Sequence, residues 1–582
     1  MIPHAKQILW RRLEAFTQTP LGCLLRLFVG RMFHGGAETG SEELDIGVGV
    51  ITILLVMPGL LVSLLMLEKY GSLIRFLRGD GVFDPFTATI PDEYFFIVLS
   101  VVVTGAAALW RWDTIFLDRR DYMNLVPLPI SVRSLFFANL SAILVLTSVF
   151  TLVVNAASLV LFPVAVVGGS QSSFSLFFRF AAGHTVAVFL ASTFSCFAVF
   201  ALAGLLMALL PAAVFRRISL FARFLVAIWL LVLLGSSIAV PDLLSKMSIA
   251  NAHRVSLLPP VSFLGLSRTV WGRGGEPFVA NMTRAAVVAL GLAFFTAILT
   301  YVASFRRSFI RIPEAPDAGP LPRLRFSLSL LGLLHKGILR TPSQRACYHF
   351  VARTLLRSDG HLQVVLGFLA LGLVAAANAL TSAPNPLSIV TGKTPSLEFL
   401  SVPFILSYCI VVGIRFAFEI PADLRANWIF RFWLDRDRHE ARGIARRVLL
   451  TFSLSWLAPA CFLVTLAFCG WMVALLHTVI LTLCTAVLVE ILLVRFRQIP
   501  FTCSYPAFKT HSGILVVAYL FGFVVFTGYV AQMEYWSLFD PWRVVWFAPL
   551  LLIVAVALHF YRKQMLDMDK ELIFEDLSVS GF

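Results

Sequence analysis

Long apolar stretches separated by short polar segments recur along the whole chain. A membrane-spanning helix needs about 20 mostly apolar residues, and about twelve stretches meet that requirement. The predicted spans are 46–67, 94–111, 137–162, 183–210, 221–240, 284–305, 362–381, 399–418, 447–468, 471–494, 512–531 and 542–561. This pattern predicts an all-α polytopic membrane protein with about 12 transmembrane helices.

The composition agrees with this prediction. Of the 582 residues, 59% are hydrophobic and 14% are charged, whereas soluble domains carry about 25% charged residues. The net charge of +15 would suggest nucleic acid as a partner in a soluble protein. Here membrane lipids are the expected surroundings and no nucleic acid is expected. The eight cysteines are scattered without a C-x-x-C pair, so we predict no disulfide framework, metal site or cofactor.

The charge of the loops predicts the orientation in the membrane. Segment 306–361 holds ten basic and three acidic residues, whereas 163–182 has Arg179 as its one charged residue. Cytoplasmic loops of membrane proteins carry the excess of Lys and Arg. We therefore expect a multi-pass protein of the cell (cytoplasmic) membrane with both termini on the cytoplasmic side.

The layout of the spans predicts two halves. "FVGR" (28–31) precedes the first span and "FVAR" (350–353) precedes the seventh. Because six spans return the chain to its starting side, two such halves are parallel-related six-helix bundles. The predicted segments are an N-terminal cytoplasmic amphipathic segment (1–45), the first transmembrane half (46–305), a basic cytoplasmic linker and amphipathic segment (306–361), the second half (362–561) and a cytoplasmic C-terminal tail (562–582).

Segment 119–133, "RRDYMNLVPLPISVR", joins the second and third spans. Its two prolines disfavour helix just before them, and Ser131 is a candidate N-cap for the third span. A short element with an apolar face at the cytoplasmic surface is expected. It could anchor the loop in the interface or bind a soluble cytoplasmic partner.

The stretch "DYMNLVPLPISVRSLFFANL" (121–140) resembles the loop between the second and third spans of type-2 ABC exporter permeases. In that family an acidic residue precedes a Leu-Pro-(Ile/Val)-Ser turn, and a basic residue follows it. The resemblance implies six spans per half, a leading amphipathic helix, here residues 4–28, and a re-entrant element between spans five and six, here "LLPPVSFLGL" (257–266).

The resemblance also implies ATPase-coupling residues and a partner, a cytoplasmic ABC ATPase subunit. In the second half the turn is missing and the matches rest on layout alone. The implied coupling residues are Asp121, Leu128, Pro129, Ser131 and Arg133 in the first half, and Asp423, Asn427 and Arg431 in the second.

The chain itself shows no ATPase motif. "TGKT" (391–394) lacks the upstream glycine of a Walker A loop and lies in a loop predicted to be extracytoplasmic. The expected protein is therefore not an enzyme but a permease, with no catalytic residue of its own. It would export an amphipathic or lipidic substrate, and a homodimer remains open.

Two other functions stay open. "DRD" (435–437) could hold a metal ion in a membrane-embedded glycosyltransferase-like enzyme. An ion-coupled secondary transporter needs ionisable residues within its spans. His477 is the main ionisable residue expected in the middle of a span, and this scarcity argues against that class.

Overall fold

The apolar stretches form helices, and among the described residues there are no strands. The computed structural model describes residues 18–34, 56, 59–66, 69, 89–110, 112, 125, 127–167, 174–237, 258–273, 277–311, 341–381, 395–422, 443–494, 496, 498–502, 512–539 and 541–568.

The helices are named in chain order. They are α1 (Pro20–His34), α2 (Ile90–Trp110), α3 (Val132–Val167), α4 (Phe174–Leu209), α5 (Ala212–Ser236), α6 (Pro259–Arg268), α7 (Pro277–Arg311), α8 (Pro342–Arg357), α9 (Asp359–Thr381), α10 (Leu397–Ala417), α11 (Ile444–Cys469), α12 (Trp471–Leu493), α13 (Ser512–Val524), α14 (Val530–Phe539) and α15 (Pro541–Met568). A π-helical segment, Thr269–Arg273, follows α6, and another, Val525–Tyr529, joins α13 to α14.

The chain is a multi-pass, all-α membrane protein. Within the described residues, eleven helices are long and apolar enough to cross a membrane. They match the predicted second to twelfth spans, while most of the first span, 46–67, lies outside the described residues. The third span runs unbroken as α3, because Asn139 and Asn155 are buried and hydrogen-bonded to neighbouring helices.

The chain divides into two compact units, Met1–Asp317 and Ala318–Phe582. The division falls inside the segment 306–361 that the sequence predicts to be a linker. The parallel relation of the two halves stays a prediction.

In the first unit, α4 is central, because it packs against α2, α3, α6 and α7. The short helix α1 lies on α3, with Leu24 and Phe28 buried in the core of this unit. Helix α6 begins within the segment predicted to be re-entrant. Its residues from Pro260 to Gly265 are buried, as non-spanning backbone at membrane depth requires.

In the second unit, α10 packs against α9, α11, α12 and the segment from Val525 to Phe539. Helix α8 lies on α11, where the hydroxyls of Tyr348 and Thr451 are 3.1 Å apart. Burial raises the pKa of Tyr348, which keeps this hydroxyl protonated. Helices α14 and α15 are separated by one residue, so no counterpart of α6 occurs between them.

The two units repeat the same helix pairings. In each, the helix ahead of the first span packs on the third span, the second span packs on the fourth, and the fourth packs on the sixth. These pairings support the prediction of two related halves.

Candidate functional site

The turn 127–131 lies directly before α3 and is largely exposed. The Leu128 amide donates to the Leu125 carbonyl and the Ile130 amide donates to the Leu128 carbonyl. Leu125 and Ile130 pack against the core of the first unit, whereas Leu128 is 48% exposed. The turn is therefore fixed to the core on one side and presents a leucine on the other.

Ser131 is the N-cap of α3, as the sequence predicts. Its Oγ accepts a hydrogen bond from the Ser134 amide at 3.1 Å, and its carbonyl accepts one from the Leu135 amide. The hydrogen bond to the Ser131 Oγ satisfies one of the free amides of the first helical turn. Pro129 and Arg133 are exposed beside it. Four of the five predicted coupling residues of the first half, Leu128, Pro129, Ser131 and Arg133, are thus exposed close together in the chain.

The other predicted site residues lie outside the described residues. They are Asp121, Asp423, Asn427 and Arg431, together with the residues 435–437 and 391–394 of the two alternative motifs.

A buried ion pair joins α12 to α14. His477 and Glu534 are both 0% exposed, and the His477 Nδ1 lies 2.8 Å from the Glu534 Oε1. Phe404 of α10 stands edge-on to the imidazole, with ring centroids 5.6 Å apart. The thiol of Cys461 lies near the imidazole. A carboxylate and an imidazole at this separation can share a proton.

Two carboxylates that the sequence places just outside the predicted spans lie inside the candidate spans. Glu534 was predicted to lie in a loop after the span 512–531, but the candidate span runs from Val517 to Leu538 and includes it. Glu93 is likewise buried within the span Ile90–Trp110. These charged residues lower the hydropathy of both stretches, although one oxygen of each carboxylate has a partner on another helix.

The first unit has a histidine in the equivalent place. His184 of α4 is 0% exposed and stands edge-on to Phe96 of α2, with ring centroids 5.7 Å apart. Its two ring nitrogens have no hydrogen-bond partner among the described residues. Each unit therefore pairs a histidine on its fourth span with a phenylalanine on its second.

Two short sequence motifs, one around each histidine and one around each phenylalanine, occur in both units. A-x-x-H-T-V occurs at 181–186 and again at 474–479, and F-I-x₇-G occurs at 96–105 and again at 404–413. In both copies the threonine hydroxyl donates to the carbonyl of the motif's alanine, at 2.7 Å. Letter-by-letter comparison of the two halves could have found these motifs, which the layout alone does not reveal.

Glu93 joins α2 to α6. Its Oε1 accepts a hydrogen bond from the Ser267 hydroxyl, and the Trp271 indole donates to the same hydroxyl at 3.2 Å. Glu93 Oε2 has no hydrogen-bond partner among the described residues. The buried helix α6 is thus tied to the second span through a carboxylate.

Glu490 lies where α11, α12 and α15 meet. Its carboxylate oxygens lie 2.5 Å from the Arg446 Nε, 2.5 Å from the Arg562 Nε and 2.9 Å from the His559 Nδ1. His477 and Glu490 lie on the same helix but have different partners.

Comparison with known proteins finds no matching protein-family model, no matching curated protein and no matching solved structure. Among the described residues, no group of three or more His, Cys, Asp or Glu side chains is arranged to hold a metal ion.

Proposed function

We propose that this chain is the permease component of an ATP-driven exporter of the type-2 ABC class. A separate cytoplasmic ATPase subunit hydrolyses ATP, and the substrate is amphipathic or lipidic. The observation that carries this proposal is the exposed turn 127–131, which is anchored to the core and continues directly into α3.

The arrangement of helices supports the same class. In both units a short helix packs on the third span. In the first unit the buried helix α6 follows the fifth span and precedes the sixth along the chain. The resemblance of residues 121–140 to the permease family implies both features. One chain with two six-span halves would supply the whole membrane portion and bind two ATPase copies.

The turn is well placed to transmit movement. Helix α3 has 36 residues, and Asn155 lies about 36 Å along it from Ser131 at 1.5 Å per residue. There the Ser100 hydroxyl of α2 donates to the Asn155 side-chain oxygen at 2.6 Å. A displacement of the turn by a partner would therefore move α3 and, through this bond, α2.

The test compares substitutions at Leu128 and Arg133, on the predicted cytoplasmic face, with a substitution at Arg179, on the predicted outer face. Both arginines are exposed. The chain is purified from its native membranes with its ATPase, and the ATPase activity that remains bound is measured. We expect Arg133→Glu and Leu128→Asp to reduce the bound activity at least tenfold, because they change the docking surface. The control Arg179→Glu, at the predicted outer face, leaves it unchanged. Equal activity in all variants would refute the coupling assignment.

A second candidate, an ion-coupled secondary transporter, is favoured by the buried pair His477–Glu534 and by Glu93. The chain alone, reconstituted into liposomes with a trapped pH-sensitive dye, discriminates the two. Lipophilic cations serve as the probe substrates. An imposed gradient of such a cation acidifies or alkalinises the liposome lumen without ATP only if the chain is an ion-coupled secondary transporter.

A further inference from the structure

We propose that His477 and Glu534 form a buried proton-binding site, which holds one proton while α12 and α14 are packed together and exchanges it only when they separate. The site is independent of how transport is powered, and it belongs to the second unit, whereas the turn 127–131 belongs to the first.

The charge of the pair argues for one bound proton. With one proton the pair has no net charge, whether it is written as imidazolium and carboxylate or as imidazole and carboxylic acid. Removing the proton leaves a buried anion, and adding a second leaves a buried cation. Both changes are strongly unfavourable for groups that are 0% exposed.

The described residues around the pair are uncharged side chains. Helix α11 contributes the Cys461 thiol near His477, and α12 contributes Cys484 near Glu534. Helix α10 contributes the ring of Phe404, and α15 contributes the apolar side chains of Phe547 and Leu551 to the same cluster. Among the described residues, the ion pairs of His477 and Glu534 are with each other.

The backbone beside Glu534 offers a way to open the site. The π-helical segment Val525–Tyr529 ends five residues before Glu534, and such segments are frequent at functional sites. Glu534 Oε2 has no hydrogen-bond partner among the described residues, so it is available to water once α14 moves. His477 lies near the start of α12, and Glu534 lies near the end of the span Val517–Leu538. Both ends are on the predicted extracytoplasmic side.

Proton counting tests the proposal. The purified full-length chain is transferred from mild detergent into excess SDS at pH 8 in weak buffer, and the protons released are measured. In the unfolded chain both groups are deprotonated, since a free histidine has a pKa of about 6.5 and a free glutamate about 4.3. The wild-type pair therefore releases one proton.

The variant Glu534→Gln is expected to release one proton fewer than the wild type, because a buried His477 without its carboxylate is neutral in both states. The control Glu398→Gln changes a partly exposed carboxylate in the first turn of α10 and should release the wild-type number. If Glu534→Gln fails to fold, the double variant His477→Asn, Glu534→Gln replaces the pair with two amides and should show the same loss. Wild-type release from the folded variant would overturn the proposal.

The pH dependence of unfolding gives an independent measurement. Above pH 6.5 the folded pair holds one proton more than the unfolded chain, so its contribution to stability falls as pH rises. From pH 7 to pH 9, the ratio of the unfolding constants of wild type and Glu534→Gln should rise about tenfold per pH unit. A ratio that does not change with pH would contradict the proposed site. Neither measurement involves the ATPase, so failure here leaves the proposed transport function untouched.

Discussion

Glu490 is a buried carboxylate whose cationic partners come from two other helices. Its carboxylate contacts Arg446 of α11 and Arg562 of α15. Arg562 is 6% exposed at this contact, whereas Arg446 is 33% exposed. The two arginines should therefore depend on Glu490 to different degrees.

Glu490→Ala should destabilise the second unit by about 3–5 kcal/mol, because it leaves the Arg562 guanidinium buried without a carboxylate. Arg446→Ala should have a much smaller effect, about 1 kcal/mol or less, since water solvates part of that side chain. SDS-induced unfolding of the purified variants measures both. Equal losses would show that Arg562 does not rely on this carboxylate.

The sequence alone identifies His477 but not the carboxylate that it contacts. His477 stood out as an ionisable residue in an apolar stretch, but Glu534 lies 57 positions away next to residues typical of a loop. Which carboxylate meets the imidazole is decided by how α12 packs on α14, and hydropathy does not specify that packing. Ser131 was found because an N-cap depends on local sequence alone.

At the scale of single elements, the beginning of α3 depends on one hydroxyl. Ser131→Ala should cost about 0.5–2 kcal/mol in stability of the first helical turn, seen as faster amide hydrogen exchange at residues 133–135. Ser131→Asp should restore slow exchange, because an aspartate carboxylate accepts the same hydrogen bond. Fast exchange in both variants would mean that the cap does not hold this turn.

The hairpin of α9 and α10 depends on a close approach at Gly413. A Cβ there would lie 2.7 Å from the Phe368 Cβ, whereas one at Gly367 on α9 would meet nothing within 4 Å. Gly413→Ala should therefore destabilise the second unit by about 1–3 kcal/mol. Gly367→Ala should be neutral or stabilise it by up to about 1 kcal/mol, because alanine favours helix. Thermal unfolding of both variants checks the contrast, and a stable Gly413→Ala would show that the hairpin can shift.

At the scale of the whole molecule, hydropathy predicted every span from the second to the twelfth, because lipid requires long apolar helices. The ends were less certain, and the eleventh span continues beyond its predicted end because α14 buries Glu534. The short helices α1, α6 and α8 overlap the amphipathic and re-entrant segments expected from the sequence, but the helices they pack on are seen only in the fold.

The predicted orientation can be tested with a membrane-impermeant thiol reagent on intact cells. Leu128→Cys should react only after permeabilisation, because the turn 127–131 is predicted to be cytoplasmic. Phe174→Cys, at a residue that is 76% exposed and predicted to lie outside, should react in intact cells. The wild-type chain, which carries an exposed Cys23, gives the background. Labelling of Leu128→Cys from outside would invert the orientation and exclude ATPase docking at this turn.

The two histidines of the A-x-x-H-T-V motifs occupy matching places, but among the residues that the structure describes a carboxylate is bonded to His477 and not to His184. In an assembly of two identical chains, any acid introduced next to one imidazole would appear next to both. A single polypeptide carrying both halves escapes that constraint, so one copy of the motif can pair its histidine with a carboxylate while the other copy does not. Duplication followed by fusion would thus allow a division of labour that a symmetric pair cannot reach.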